Sequence, residues 1–349
     1  MLCPDGAANA GACSAGSKIG DATVGAGASV LSTSPGPVYI TGPYRGAPFG
    51  LSIVVPAAAG SFGLGSVVVR AAIDVDRQSA QLHLASDPLP TSLGGVPLDV
   101  RDVRVAFDKP RFVVNPTSCG VKQVLGAVDS VLGAIAHVSA SFQVAGCAKL
   151  AFAPQLELAV GGAHHTKAGA STPLTATLTQ TPGQTDLRSI TVALPGTLRA
   201  VLPSVEQTCS LARYDAGRCP AKAGVGRAVA VTPLLREPLR GRVYFVKDPA
   251  RATPDLMIAL RGPVDLDLTG KISTSRRKRL TLSFDTLPDA PITTFTLQLG
   301  SGRSSPLRTI SDLCAAKPRA SRVSIDFRGQ DGRVLHIGQA LHVAGCRGA

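Results

Sequence analysis

The chain has 349 residues, 44% of them hydrophobic, which is enough apolar material for two domains of about 100–200 residues each. Only 17% are charged and 4% aromatic, with no Trp, 37 Gly, 26 Pro and 8 Cys, a composition that excludes an architecture of long helices and stays below the roughly 25–30% Gly plus Pro of low-complexity disorder. The formal charge of +13 is uneven: residues 1–150 carry 10 Lys+Arg against 9 Asp+Glu, residues 151–208 carry 3 against 3, and residues 209–349 carry 23 against 11, so the last segment alone holds +12.

Taken from the N-terminus, Met1-Leu2-Cys3-Pro4-Asp5 lacks a charged n-region and an apolar h-region, so no signal peptide is expected here. The uncharged stretch 46–69 is interrupted by Pro48, Pro56 and several Gly, which argues against a membrane-spanning helix. Period-two alternation of apolar residues predicts half-buried strands with polar outer faces over 67–75, 79–84 and 100–107, then over 174–179, 190–194 and 264–268. Strand follows strand between Gly and Pro without helical patterns, which points to antiparallel β-sandwiches. The one competing signal is in 123–142, where Val124, Leu125, Val128, Val131, Leu132 and Ile135 fit helical spacing. Its counterpart late in the chain, Val323-Ser-Ile-Asp-Phe327 and Val334-Leu-His-Ile337 around Gly329 and Gly332, is a hairpin pattern, so 123–142 is read as a hairpin too.

The cysteines give the organisation. Cys3, Cys13, Cys119 and Cys147 are spaced 10, 106 and 28 apart, and Cys209, Cys219, Cys314 and Cys346 are spaced 10, 95 and 32 apart. The same order of gaps, with Phe142-Gln-Val-Ala-Gly-Cys147 matching Leu341-His-Val-Ala-Gly-Cys346, reads as a tandem duplication with a period near 200 residues. Each set of four allows three disulfide connectivities; near-neighbour pairing is preferred because the short and medium loops recur in both sets. Zinc is disfavoured, since no pair is spaced C-x-x-C and no His pair lies beside one. Disulfides imply an oxidising compartment. The expected architecture is all-β: disulfide-stapled antiparallel β-sandwich repeats at 1–150 and 209–349, with a small Cys-free β domain or connector at 151–208. The chain starts a quarter-period late on this reading, so the reading frame is expected to continue upstream.

Catalytic motifs are not found: no G-x-S-x-G, no H-E-x-x-H and no G-x-x-x-x-G-K-[ST]. Of the histidines, His164-His165 lies in a polar connection without a third ligand, and His83 and His342 sit in strand patterns. Asp74/Asp76 and Asp265/Asp267 are i, i+2 carboxylate pairs able in principle to hold calcium or act as a glycosidase pair, but cross-strand pairing with Arg or Lys is the simpler use. The run Arg276-Arg277-Lys278-Arg279 is either a solvated hairpin tip or a site for an anionic envelope polymer, glycan or membrane surface. Nucleic-acid recognition is disfavoured for want of a recognised module.

One resemblance emerges from these motifs. Cys219-Pro-Ala, Thr232-Pro-Leu-Leu235, Val243-Tyr-Phe245, Pro254-Asp-Leu256, Leu287-Pro-Asp-Ala-Pro291 and Leu313-Cys314 resemble a recurring unit of large secreted actinobacterial proteins, with a looser version at Gly36-Pro-Val-Tyr-Ile40 and Asp87-Pro-Leu-Pro90. The resemblance implies export and a surface or extracellular location, and it brings no activity, cofactor or functional residues. The chain departs from the family's Gly-Pro-Val-Tyr at Gly241-Arg242-Val243-Tyr244. The functional expectation is a non-catalytic extracellular or cell-surface interaction protein without cofactors that binds an anionic polymer. The alternatives are a secreted hydrolase with a site between repeats and a carbohydrate-binding module, the latter weakened by the scarcity of aromatic rings.

Overall fold

The computed structural model describes the chain apart from residues 27–30, 33, 60–61, 202–207, 252, 275–278, 301–304, 318–320 and 347–349. Strands take up 53% and helices 6%, as the alternating patterns and frequent Gly and Pro require of an all-β chain. Four disulfides close the loops Cys3–Cys13, Cys119–Cys147, Cys209–Cys219 and Cys314–Cys346. The chain divides into two compact units, residues 1–76 with 81–115 and residues 77–80 with 116–349. Among the described residues no helix is long and apolar enough to cross a membrane.

The first unit contains α1 (Asp5–Asn9), β1 (Lys18–Ala26), β2 (Leu31–Ser32), β3 (Gly36–Thr41), β4 (Phe49–Ala59), β5 (Phe62–Val75), β6 (Leu82–Ser86), β7 (Ser92–Leu93), β8 (Val96–Pro97) and β9 (Val100–Phe107). The main sheet runs β2-β1-β3-β4-β5-β6, with β9 also paired to β1. Ile19, Ala22, Val38, Leu51, Ala71 and Ile73 form its modest core.

The second unit begins with β10 (Lys122–Asp129) and β11 (Ile135–Phe142), paired in register from Lys122↔Phe142 to Asp129↔Ile135. The 123–142 segment is thus a hairpin, despite its helix-like spacing. Next come β12 (Gln155–Gly161), β13 (Leu174–Thr179), β14 (Leu187–Ala193), β15 (Leu198–Ala200), β16 (Cys209–Ser210), α2 (Leu211–Asp215), β17 (Gly224–Val231), β18 (Leu239–Lys247), β19 (Asp255–Arg261) and β20 (Leu266–Thr274). The chain finishes with β21 (Leu280–Phe284), β22 (Thr294–Leu299), β23 (Leu307–Thr309), β24 (Arg322–Gly329), β25 (Val334–Ala340) and β26 (His342–Ala344). The long sheet is ordered β25-β24-β14-β21-β20-β19-β18-β17-β22-β13-β12-β26. At β20 it folds over: residues 266–270 pair with β19, residues 271–274 with β21, and both layers line one core that includes Val243, Ile258, Leu297, Ile190, Val323 and Phe327.

One expectation needs correction. Residues 151–208 do not stand apart as a small domain or connector: β13 pairs with β22, and β14 lies between β21 and β24. A few strands alone have no second layer on which to bury Leu158, Leu174, Leu178 and Ile190, and the sheet supplies it. The two short helices, which no sequence pattern signalled, each sit inside a ten-residue disulfide loop.

The two Cys-bounded segments share a pairing order. β1-β3-β4-β5-β6 with β9 on β1 is followed in the second by β17-β18-β19-β20-β21 with β22 on β17. Both contain the same register shift, between Lys18 and Gly20 in β1 and between Gly224 and Gly226 in β17.

Candidate functional site

The alternation that turns Ala228, Ala230, Val243 and Phe245 into the core turns Arg227, Arg240 and Arg242 outward, and all three are exposed. Arg227 lies directly opposite Arg242, and Arg240 opposite Arg261 on β19. Cross-strand neighbours of this kind have Cβ atoms about 4.5–5.5 Å apart, where like charges repel. Arg227 donates from Nε to Gln298 Oε1 at 2.6 Å. Arg261 is neutralised by Asp267 at 2.7 Å and Asp265 at 3.5 Å. Among the described residues no ion pair joins Arg227, Arg240 or Arg242 to a carboxylate. Beside them the same face presents Thr294, Thr296 and Gln298 of β22, in register with Thr179, Thr177 and Thr175 of β13. The result is a polar sheet face with an uncompensated arginine cluster and neighbouring hydroxyls, chemistry suited to carboxylate, sulfate or phosphate groups. In the first unit the corresponding register pairs Asp21 with Pro37, so no arginine pair forms there.

The basic run expected as an anion site resolves differently. Arg276, Arg277 and Lys278 lie outside the described residues. Arg279 points its guanidinium at backbone, donating to the carbonyls of Leu194, Ala193 and Arg322 at 3.1 Å each, which fastens the ends of β14 and β24. The arginine face was missed because its members are scattered singly through alternating strands; Arg242, standing where the resembled family has Pro, was the one visible signal.

Asp265 and Asp267 are taken up by arginines: Arg77 reaches Asp265 at 3.2 Å, and Asp267 also accepts the Tyr214 hydroxyl at 3.0 Å. Burial, then the neighbouring Asp267, pushes the Tyr214 hydroxyl far above its ordinary range. Asp74 is exposed and faces His83 across β5 and β6. His165 Nδ1 lies 2.7 Å from the Ser171 carbonyl, and His336 Nδ1 lies 2.5 Å from Asp326. Among the described residues no group of three metal-ligating side chains converges.

A second carboxylate pair had no sequence signal. Asp289 accepts the Thr117 N–H at 2.9 Å, the Thr117 hydroxyl at 2.8 Å and the Ser118 N–H at 3.0 Å. Burial opposes its charge, but the bonds from Ser118 and Thr117 prevail and hold its pKa below the usual carboxylate value. Buried Asp186, whose N–H donates to the same Thr117 hydroxyl at 2.9 Å, is pushed up to about 7 by burial and then by the charge of Asp289. A split pair of this kind is found in acid–base sites. Here Asp289 is occupied in holding residues 117–118 in place.

No family model matches this chain, and neither a curated protein nor a solved structure does.

Proposed function

We propose that this chain is a non-catalytic, secreted interaction protein built from a tandem repeat, and that its second unit binds an anionic polymer of the cell envelope or matrix through Arg227, Arg240 and Arg242. The carrying observation is the directly opposed pair Arg227 and Arg242: a sheet face that tolerates like charges without a neutralising acid has a standing attraction for polyanions. Four disulfides and the resemblance to exported actinobacterial units support an extracellular setting. The hydrolase alternative has less support, since the carboxylates of Asp267 and Asp289 are bonded within the fold.

Binding of dextran sulfate by isothermal titration calorimetry tests this. Affinity should weaken at least about tenfold between low and physiological salt, because exposed charges are screened within about 8 Å at 0.15 M. The triple variant R227S/R240S/R242S should lose a further tenfold or more, about 1.4 kcal/mol. The equally charge-depleted variant R213S/R218S/K222S should bind nearly as the parent does. Equal losses in the two variants would reduce the face to net charge alone, and unaltered binding in the first would remove it.

A further inference from the structure

The first unit exposes apolar residues at the positions where the second unit is driest. By register, Phe107 of β9 corresponds to Leu299 of β22, since each faces the equivalent glycine, Gly20 or Gly226. Phe107 is 46% exposed and Leu299 8%. Leu82 at the start of β6 corresponds to Leu280 of β21, and they are 62% and 8% exposed. In each case the difference has one source. β13 adds to the free edge of β22, and β14 inserts between β21 and β24, burying Leu174, Leu178, Leu187 and Ile190 with them. Among the described residues β9 pairs only with β1 and β6 only with β5.

We propose that the open edges of β6 and β9 form a docking site for a polypeptide segment of the design of residues 155–193: one strand extending β9 as β13 extends β22, and another extending β6 as β14 extends β21. The occupant is fixed by the chemistry of these edges. The unpaired strand edges beside the exposed Val103, Val105, Leu82 and Leu84 call for a strand with alternating apolar residues, the pattern of Leu174/Leu178 and Leu187/Ile190. A glycan or lipid would satisfy at most one half of that surface.

The test uses the full chain with a second copy of residues 151–208 joined ahead of residue 1 through a flexible linker, compared with the unmodified chain by hydrogen–deuterium exchange. Amides of 82–86 and 100–107 should exchange at least about tenfold more slowly in the fusion. Pro substitutions in the added copy alone, at its equivalents of Thr177 and Val192, should abolish that protection. Unchanged exchange in the fusion would overturn the proposal. So would protection already present in the unmodified chain, whether as a monomer or as a concentration-dependent dimer, which would make another copy the occupant.

Discussion

Arg70 shows how a single residue's role depends on what covers it. In the alternating run Val67-Val-Val-Arg70-Ala-Ala-Ile-Asp-Val it reads as an outward polar residue, yet it is buried. Helix α1 lies over that face: Arg70 donates to Asp5 at 2.9 Å and the Leu51 carbonyl at 3.1 Å, bonds Asn9, and rests 4.1 Å from the Tyr44 ring centroid. Because its donors are met by a carboxylate, carbonyl and amide oxygen, the buried charge is tolerated. Asp186 is the opposite case, a buried carboxyl that holds its proton well above the usual carboxylate range. With its pKa raised from 3.8 to about 7, the folded chain holds a proton that the unfolded chain has released between those values. Its contribution to stability is therefore fully present below about pH 4 and is lost as pH rises to about 7, by at most about 1.4 kcal/mol per pH unit. Urea unfolding of the parent and of Asp186→Asn at pH 5, 6, 7 and 8 should show a steeper decline in the parent; parallel declines would exclude Asp186 as the source.

At the scale of elements, two glycines set how closely strands approach. A Cβ on Gly226 would sit 2.2 Å from the Gln298 carbonyl oxygen, and one on Gly20 would sit 1.9 Å from that of Ala106. Each contact is with a partner strand's backbone, which has no rotamer by which to yield. Gly226→Ala should therefore cost about 1–3 kcal/mol in denaturant unfolding, as overpacking does, and should speed amide exchange along β17 and β22. Gly196→Ala, where a Cβ meets nothing within 4 Å, should be near neutral. Equal effects at the two positions would remove the close-approach explanation. Strand existence was largely legible, because alternation registers a half-buried surface within a few residues of sequence. The helices were not: at five residues each, they are shorter than any periodicity can reveal and are held by the disulfide loop around them.

For the molecule as a whole, the disulfides are the most accessible check. Peptide mapping without reduction should recover Cys3–Cys13, Cys119–Cys147, Cys209–Cys219 and Cys314–Cys346, with no thiol alkylated in the native protein. Removing the 209–219 bridge as C209A/C219A should cost about 3 kcal/mol, the chain-entropy value for a loop of this order. Alkylation of the native chain would undo both the pairing and the extracellular reading built on it.

The sequence by itself determined the all-β class and several of its strands, because each depends on short-range alternation; the near-neighbour pairing of cysteines and the hairpin at 123–142 became legible only by comparing the two Cys-bounded segments, the hairpin against its own local spacing. Only the tertiary structure decided that residues 155–193 belong to the sheet of the second unit, that Arg227 and Arg242 meet across β17 and β18, and that Asp186 shares Thr117 with Asp289. These depend on which strands become neighbours. Pairing is decided by burial of the combined apolar faces of distant segments, a quantity that no local stretch of sequence contains.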